Sequence, residues 1–499
     1  MHDGVMYLVQ PGAGILAVDA TNGDQIWSYR RSIPAAALEF VGRAETARTK
    51  SIAIYEGLIL YPAPDGFLVA LDARTGDVRW ETKVFEHDSK TQHTGGVLVA
   101  DGKVITNRTC EQRAGCFIAA HDPSSGEEVW KFYNTAAPGT RDGESWGHVP
   151  VERRIASSWG LPGSYDPVRK ITYWGISNPK PYTRLARHGS ADAVPRTAPA
   201  DLYSNSTVAL DVETGELVWY YQHLPGDDWD LDHLHERTIV TTPVRPDSDA
   251  VKWINPGVTR GQEREAVVAV GEGGGIWLLE RATGEFLWAM PFPYDIPEFH
   301  ISDIDVETGR TELNWSKVFK EDGDRTIVCY HNTRSFWSTA YDPGRNALYI
   351  PFHDACLDMA ANSASSTGFG PRNGILRPGT DPDEYASVAK VDLSTGRMER
   401  IYTQAEPGNG SALVTAGDLL FWGDMARRFR AFDADSGEML WETVVGGIIQ
   451  TSTISYAVDG RQYVAVMSGN GLSGTVTPTA ISGVTTVHGH NAIYSFALP

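Results

Sequence analysis

The sequence predicts an all-β fold, a β-propeller, and three observations support this prediction. One eleven-residue phrase recurs along the 499 residues, alternating apolar and polar residues precede its copies, and strong helical periodicity is absent throughout. Repeats spaced about 40–50 residues apart, each with room for four short strands, are typical of propeller blades. The chain contains seven to nine such units, so seven or eight blades are expected.

The repeated phrase joins two strands by a turn with an aspartate at its start and a glycine at its end. Aspartate with threonine or serine opens a turn through backbone hydrogen bonds, and glycine supplies the positive φ that a hairpin turn or bulge requires. We expect the final tryptophan to pack between neighbouring blades. Six copies end in tryptophan and one has lost it: AVDATNGDQIW (17–27), ALDARTGDVRW (70–80), AHDPSSGEEVW (120–130), ALDVETGELVW (209–219), LLERATGEFLW (278–288), AFDADSGEMLW (431–441) and, without tryptophan, KVDLSTGRMER (390–400).

Charge and hydropathy exclude several classes of protein. The net charge of −20 argues against nucleic acid as a partner, because little positive charge is left to neutralise phosphates. No apolar run approaches about 18 residues, so no membrane span is expected. The start, MHDGVMYLVQ, lacks the basic region and apolar core of a signal peptide and reads as a strand already under way. The first blade is therefore expected to be incomplete in this chain.

The four cysteines form no CxxC or CxxCH pattern, which argues against a zinc ribbon and a c-type haem. Their spacing, with Cys110 near Cys116 and Cys329 near Cys356, allows two local disulfides. Four buried free thiols remain the alternative reading of the spacing.

The stretch GDDWDLDHLHER (226–237) holds five carboxylates in twelve residues. Such clusters are usually solvated surface loops, and half of a metal site is the alternative. We interpret Asp227 and Asp228 as solvated loop residues.

The repeats and the acidic loop together resemble the quinoprotein alcohol dehydrogenases, which use pyrroloquinoline quinone (PQQ). Three segments are most similar: WGLPGSYDPVRKITYWGISNPKPY (159–182), SNSTVALDVETGELVWYYQHLPGDDWDLD (204–232) and TAGDLLFWGDMARRFRAFDADSGEMLWET (415–443). The resemblance covers nearly the whole chain. It implies an eight-bladed β-propeller with tryptophan-docking repeats, formed as a single domain by residues 1–499.

The resemblance also implies a metal site and a general base. Its ligands would be Glu111 in CEQRAG, Asn178 in SNPKP and Asp230 in WDLD, three oxygen donors that suit Ca²⁺. Asp230 would also accept the proton of the substrate hydroxyl. Asp232 completes an Asp-x-Asp pattern that accompanies lanthanide ions in this family. In the alternative reading, Asp232 points to solvent and Ca²⁺ is the metal.

Further residues are implied as neighbours of the quinone. Trp159 stands where a tryptophan forms the floor under the cofactor, and Lys50 where an arginine is usual. Thr94 and Arg108 align with cofactor neighbours, and His353 occupies the place of an asparagine. The family also implies disulfides Cys110–Cys116 and Cys329–Cys356, hence an oxidising compartment, the periplasm.

The sequence departs from the family at several positions. Ala44 and Glu45 replace the adjacent cysteines of methanol dehydrogenases, Glu272 stands where arginine or lysine is usual, and a lining tryptophan is replaced around Asn409. These changes leave room for an alcohol bulkier than methanol, unless residues 374–385 close the mouth of the site.

Two other segments are interpreted as lacking a functional motif. GNGLSG (469–474) matches G-x-G-x-x-G, but a β-branched, proline-containing segment follows, so we expect no helix there and no dinucleotide fingerprint. Residues 177–203 are rich in proline and arginine and are interpreted as a surface excursion between strands.

The resemblance thus implies a periplasmic dehydrogenase that oxidises a primary or secondary alcohol by hydride transfer to metal-bound PQQ. A separate c-type cytochrome would accept the electrons. One alternative is a non-enzymatic envelope scaffold, which shares the repeated phrase, and another is a quinoprotein acting on sugars or polyols. The sequence leaves the substrate, the metal and the oligomeric state open.

Overall fold

The computed structural model describes residues 1–41, 49–86, 89–329, 333–450, 452–469, 476–487 and 489–497. Ala44 and Glu45 therefore lie outside the described residues. The chain forms two compact units, one of residues 1–237, 310–313 and 363–368, and one of residues 238–309, 314–362 and 369–499. Short antiparallel strands dominate both units, which confirms the all-β prediction.

The first unit contains one three-stranded and three four-stranded antiparallel sheets among its described residues. Two additional two-stranded ladders pair Thr91–Gln92 with Thr109–Cys110 and Ile155–Ala156 with Pro179–Lys180. Glu111 directly follows one of these strands and Asn178 directly precedes another. The strands are β1 (Val5–Gln10), β2 (Gly14–Asp19) and β3 (Gln25–Arg30); β4 (Ala53–Tyr55), β5 (Leu58–Pro62), β6 (Phe67–Asp72) and β7 (Val78–Lys83); β8 (Thr91–Gln92), β9 (Val97–Ala100), β10 (Lys103–Thr106), β11 (Thr109–Cys110), β12 (Phe117–His121) and β13 (Glu128–Tyr133); β14 (Ile155–Ala156), β15 (Ser164–Asp166), β16 (Ile171–Gly175), β17 (Pro179–Lys180), β18 (Ser206–Asp211) and β19 (Leu217–Gln222).

The second unit also consists of antiparallel sheets, which have three to five strands in its described part. The strands of the second half of the chain are β20 (Arg237–Val244), β21 (Trp253–Ile254), β22 (Gln262–Val270), β23 (Ile276–Glu280) and β24 (Phe286–Met290); β25 (Ile301–Ile304) and β26 (Thr311–Leu313); β27 (Arg325–Cys329), β28 (Ala340–Asp342), β29 (Ala347–His353), β30 (Ala355–Ala361), β31 (Phe369–Leu376), β32 (Ala386–Asp392) and β33 (Met398–Gln404); β34 (Leu413–Val414), β35 (Leu419–Gly423), β36 (Arg428–Asp433), β37 (Met439–Val444), β38 (Thr453–Val458), β39 (Arg461–Gly469) and β40 (Asn491–Ala497).

Helices are short in the described chain. The α-helices are α1 (Ala35–Val41), α2 (Arg184–His188) and α3 (Val476–Ser482), and single 3₁₀ turns occur at Arg113–Gly115, Asp142–Trp146, Val151–Arg153, Ala191–Ala193 and Pro382–Glu384. No helix within the described ranges is long and apolar enough to cross a membrane.

The repeated phrase folds in the same way in each tryptophan-bearing copy. Its first residue pairs with its tryptophan, as Ala70 does with Trp80, and the register then shifts by one residue. In five of the six copies an aspartate starts the turn and its carboxylate accepts backbone N–H groups, as Asp72 does from Arg74 at 2.9 Å, whereas the copy at 278–288 has Glu280 there. The same shift occurs in the other five copies, after Ala17, Ala120, Ala209, Leu278 and Ala431.

In the first unit, the tryptophan of one repeat contacts the glycine turn of another. The indole nitrogen of Trp130 donates to the carbonyl oxygen of Val212 at 2.9 Å. A Cβ on Gly215, whose φ is +72°, would lie 2.5 Å from the Trp130 ring, so a larger residue cannot replace this glycine without displacement. Trp27 and Trp80 donate in the same way to the carbonyls of Ala73 and Pro123.

The expectation that no helix follows GNGLSG is wrong, although residues 470–475 lie outside the described chain. Helix α3 begins at Val476 because Pro478 falls in its first turn, where the missing N–H costs no intrahelical hydrogen bond. Strand β39, which ends at Gly469, pairs antiparallel with both of its neighbours. The segment is therefore not a parallel β-α-β dinucleotide unit.

Candidate functional site

The acidic loop is buried, so the interpretation of Asp227 and Asp228 as solvated residues is wrong. Neither aspartate is exposed. The two carboxylate oxygens of Asp227 accept the N–H groups of Trp229 and Leu231, each at 2.8 Å. Burial raises the pKa of Asp227 to about 6, against the effect of these hydrogen bonds. The loop is therefore folded around its own carboxylate.

Residues 177–203 are not a simple surface excursion, because their arginines hold the acidic loop. The backbone N–H of Arg184 donates to Asp228 at 2.5 Å. Arg187 donates to the Asp227 carbonyl and to the Asp201 carboxylate, both at 2.9 Å. Both guanidinium groups are buried, which the polar composition of the segment did not predict.

The packed loop brings Asp230 and Asp232 to Asn178. Asp230 is half-buried and has a φ of +68°, in the left-handed region. The side-chain amide of Asn178 donates to Oδ1 of Asp230 at 2.9 Å, and its backbone N–H donates to Oδ1 of Asp232 at 2.8 Å. Two of the three predicted ligands and the additional carboxylate are therefore within one hydrogen-bonded group.

Asp232 does not point to solvent, since its residue is only 4% exposed. Burial and the nearby Asp230 carboxylate raise the pKa of Asp232 to about 7, while the hydrogen bonds from Asn178 and Trp159 oppose that rise. A pair of carboxylates with little access to water is stabilised by a cation placed between them.

Trp159 is hydrogen-bonded to the group formed by Asn178, Asp230 and Asp232. Its indole nitrogen donates to Oδ2 of Asp232 at 2.8 Å. The ammonium of Lys50 lies 4.8 Å from the Trp159 ring centroid and donates to the carbonyls of Trp159 and Thr94, at 2.8 and 2.9 Å. His235 meets the same indole edge-on at 5.5 Å. The predicted quinone floor is thus oriented by a carboxylate and accompanied by a cation.

Asn107 is a site residue that the sequence reasoning missed. Its amide nitrogen donates to the carbonyls of Ser158 and Gly160, at 2.7 and 3.2 Å, which flank Trp159. Its amide oxygen accepts the N–H of Gly96 at 2.9 Å. Asn107 therefore ties the loop after Thr94 to the backbone that carries the indole. An isolated asparagine gives no sequence signal for this role.

Glu111 forms an ion pair with Lys180. Its Oε1 lies 2.6 Å from the Lys180 ammonium, and its side chain is 43% exposed. The preceding residue joins the site backbone, because Cys110 N–H donates to Ser157 Oγ and Ser157 N–H donates to Ser177 Oγ. The predicted Cys110–Cys116 disulfide is present and closes the loop that contains Glu111.

The side chain of Arg108 packs in the core beside the site. Its guanidinium carbon lies 3.8 Å from the centroid of the Phe117 ring, and Nη2 donates to Oγ1 of Thr106 at 2.7 Å. Burial lowers the pKa of Arg108 to about 9. Only its backbone touches the site residues, through the N–H of Ser158, which donates to the Arg108 carbonyl at 2.9 Å. Thr94 bonds Thr109 through their hydroxyl groups at 2.5 Å.

The remaining predicted residues belong to the second unit. Nε2 of the buried His353 accepts the N–H of Gly408 at 3.0 Å, so its proton is on Nδ1, and its ring stacks on Tyr385 at 5.1 Å. Glu272 and Asn409 are also buried. The predicted Cys329–Cys356 disulfide is present, between directly opposite residues of β27 and β30.

The first-unit residues suit a hard cation and an anionic aromatic cofactor. Within the described chain, no three carboxylate, imidazole or thiolate groups converge tightly enough to hold a metal by themselves. Asn178, whose amide nitrogen donates to Asp230, also has an amide oxygen that would add to the two carboxylates as a ligand. Oxygen ligands match Ca²⁺ or a more highly charged hard cation. Lys50 beside the Trp159 face provides positive charge for an acidic quinone.

The chain resembles known proteins over nearly its whole length. The family model "PQQ: Glucose/ethanol/alcohol dehydrogenase, beta-propeller domain" matches residues 1–293 and 386–464. The chain is 28% identical to the quinohemoprotein alcohol dehydrogenase ADH-IIG of Pseudomonas putida, over 94% of this chain and 66% of that protein. It is 25% identical to the quinoprotein alcohol dehydrogenase PedH of Pseudomonas putida KT2440, over 94% of this chain and 78% of that protein. The chain thus spans about two thirds of the length of the first of these relatives.

Solved structures share the fold. The quinohemoprotein alcohol dehydrogenase ADHIIG from Pseudomonas putida HK5 has a TM-score of 0.77 at 25% identity, over 94% of this chain and 69% of that one. A europium-containing methanol dehydrogenase has a TM-score of 0.82 at 24% identity, over 99% of this chain and 89% of that one. The second likeness concerns the fold alone.

Proposed function

Since this chain belongs to the PQQ glucose/ethanol/alcohol dehydrogenase β-propeller family, we propose that it is a PQQ-dependent alcohol dehydrogenase. The observation that carries the proposal is the hydrogen-bonded group of Asn178, Asp230, Asp232 and Trp159. A scaffold without chemistry has no use for two neighbouring carboxylates, one of them buried, tied to an indole. The alternative of an envelope scaffold is therefore not favoured.

In this proposal each residue has a defined task. Bound PQQ with its metal would accept the hydride that the alcohol carbon loses. Asp230 takes the hydroxyl proton, and the Asn178 amide orients its carboxylate for that transfer. Trp159 supports the quinone plane and Lys50 neutralises its acidic groups. Asn178, Asp230 and Asp232 hold the metal, and Glu111 joins them.

The finer parts of the proposal concern the metal, the fold and the surroundings. The metal is Ca²⁺ or a lanthanide, and residues 1–499 form one eight-bladed propeller domain. The two disulfides support an oxidising compartment, the periplasm. A c-type cytochrome accepts the electrons. Thr94, Arg108 and His353 remain proposed neighbours of the cofactor.

The proposed substrate is a primary or secondary alcohol bulkier than methanol, and a sugar or polyol is the second candidate. This proposal rests on the departures from the family at Ala44, Glu45, Glu272 and Asn409. Part of the segment 374–385 is held by hydrogen bonds within the second unit. Arg377 and Thr380 donate to the Asp354 carboxylate at 2.7 and 2.8 Å.

Dye-linked alcohol oxidation by the full chain tests the proposal. Activity is measured with PQQ and Ca²⁺, with PQQ and La³⁺, and with neither, on short, long and secondary alcohols and on a polyol. Asp230→Asn should abolish turnover while PQQ binding, followed by equilibrium dialysis, persists. Asp192→Asn, which removes an exposed aspartate, is the matched control. Full activity without PQQ, or in Asp230→Asn, would contradict the proposal.

A further inference from the structure

Lys180 occupies an unusual position for a cation, because it lies beside the predicted ligands of a metal ion. It follows Asn178 by two residues, in β17, whose pairing with β14 sets Lys180 opposite Ile155. Its ammonium lies 2.6 Å from Oε1 of Glu111, and its side chain is only 16% exposed. A surface lysine would ordinarily extend into water, whereas this one is largely covered.

Both partners of this ion pair are positioned by the backbone. Glu111 follows Cys110, whose disulfide with Cys116 closes a six-residue separation, and its own N–H donates to the Lys90 carbonyl at 2.9 Å. Lys180 is fixed by its short strand. The fold therefore brings the two residues close enough for this contact, in which the ammonium is largely covered and the carboxylate is partly exposed.

We propose that Lys180 is an internal competitor of the metal ion for Glu111 and so a determinant of metal affinity. This inference rests on the proposed function, because it requires a metal at Asn178, Asp230 and Asp232. A metal that recruits Glu111 must separate it from the ammonium, which costs the ion pair and adds repulsion between two cations. Lys180 thus lowers the affinity of the site for every metal ion that uses Glu111.

The charges of the site support this assignment. Glu111, Asp230 and Asp232 bring three negative charges, and Lys50 and Lys180 bring two positive ones. The Lys50 ammonium donates to the carbonyls of Trp159 and Thr94 and lies over the indole. Its positive charge is therefore placed where the quinone is proposed to bind. Lys180 is paired with a ligand carboxylate, so its removal leaves more negative charge for the metal itself.

Metal titration of the full chain tests the inference without any turnover. Tb³⁺ luminescence excited through tryptophan reports binding near Trp159, and Ca²⁺ is measured by its displacement of Tb³⁺. The signal that Asp230→Asn removes is taken as specific to the site. Lys180→Gln should bind both ions on the order of fivefold more tightly than the unmodified chain. Lys180→Arg, which keeps the charge, should bind within about twofold of it.

Lys170→Gln is the matched control, because Lys170 forms an ion pair with Asp101 in the same unit and neither residue is a proposed ligand. It makes the same change in net charge and should leave both affinities unchanged. Equal affinities of Lys180→Gln and the unmodified chain would overturn the inference and leave the proposed function standing. Weaker binding by Lys180→Gln would also overturn it, since Lys180 would then organise Glu111. Absence of site-specific binding in the unmodified chain would overturn the proposed function together with the inference.

Discussion

The indole nitrogen of Trp159 donates to Oδ2 of Asp232 over 2.8 Å, which couples the proposed quinone platform to a proposed metal ligand. The other carboxylate oxygen, Oδ1, accepts the backbone N–H of Asn178. Asp232 thus orients two neighbours through its two oxygens and contributes charge as well. A change at this residue should affect both metal binding and the position of the indole.

We predict that Asp232→Asn lowers Tb³⁺ affinity by on the order of tenfold and Ca²⁺ affinity by less. Asparagine is neutral and has one acceptor oxygen, so one of the two N–H donors would face an NH₂ group. A trivalent ion loses more from a missing negative charge than a divalent ion does. The affinities are measured by luminescence titration, with Asp192→Asn as the control.

The same substitution should shift the tryptophan fluorescence of the chain without metal, because the carboxylate beside the Trp159 indole becomes a neutral amide. Equal losses of Tb³⁺ and Ca²⁺ affinity would show that Asp232 does not select by ion charge. An unchanged Tb³⁺ affinity would remove Asp232 from the proposed ligands.

We predict that Asp227→Asn destabilises the protein by about 1–3 kcal/mol, because a buried N–H group loses its acceptor. Both oxygens of the Asp227 carboxylate accept backbone N–H groups of the loop that carries Asp230. The free energy of unfolding is measured by denaturant titration, and metal affinity should fall with it. Asp211→Asn is the control and should cost less, because in that exposed turn a single carboxylate oxygen accepts both backbone N–H groups and asparagine keeps such an oxygen.

An unfolding free energy of Asp227→Asn equal to that of the unmodified chain would mean that the loop holds its conformation without the carboxylate. Unchanged metal affinity in a destabilised variant would limit Asp227 to a role in folding.

The fold could be predicted well from the sequence because the repeated phrase acts locally. The turn that starts at Asp72 and ends at Gly76 depends on residues within a few positions of each other. An additional turn of this kind, from Asp305 to Gly309, was not among the predicted copies, and Leu313 stands where most copies have their tryptophan.

The site could be predicted only in part, because its geometry depends on contacts between distant residues. Asp230, Asp232 and Asn178 were recognised through the family resemblance, and the structure brings them together. Asn107 donates to the carbonyl of Ser158, which is 51 residues away in the sequence, and no local pattern reveals this contact. Asp227 was misread because a charge cluster carries no sign of its burial.

We predict that Asp201 contributes stability that acid removes. Burial alone would raise its pKa, but the Arg187 guanidinium and His188 outweigh burial and lower the pKa to about 2 from the ordinary value of 3.8. A carboxyl whose pKa is depressed in the folded state stabilises the protein above its unfolded pKa, and this contribution disappears as the pH falls through the folded value. The shift corresponds to about 2 kcal/mol.

Asp201→Asn should therefore be less stable than the unmodified chain above about pH 4, and the difference should shrink as the pH falls towards about 2. Denaturant titrations across this range measure it. Asp192→Asn, at an exposed ion pair, should show a small difference at every pH. A difference for Asp201→Asn that stays constant with pH would show that the carboxylate charge is not its source.

We predict that Gly215→Ala costs more stability than Gly23→Ala, although both glycines end the turn of the same repeated phrase. Their φ values are +72° and +82°, so both substitutions carry the same backbone strain, about 1–2 kcal/mol. A Cβ at Gly215 would lie 2.5 Å from the Trp130 ring, whereas nothing lies within 4 Å of a Cβ at Gly23. The additional overpacking should cost about 1–3 kcal/mol. Denaturant titration of the two variants measures the difference, and equal losses would mean that the tryptophan moves aside without cost.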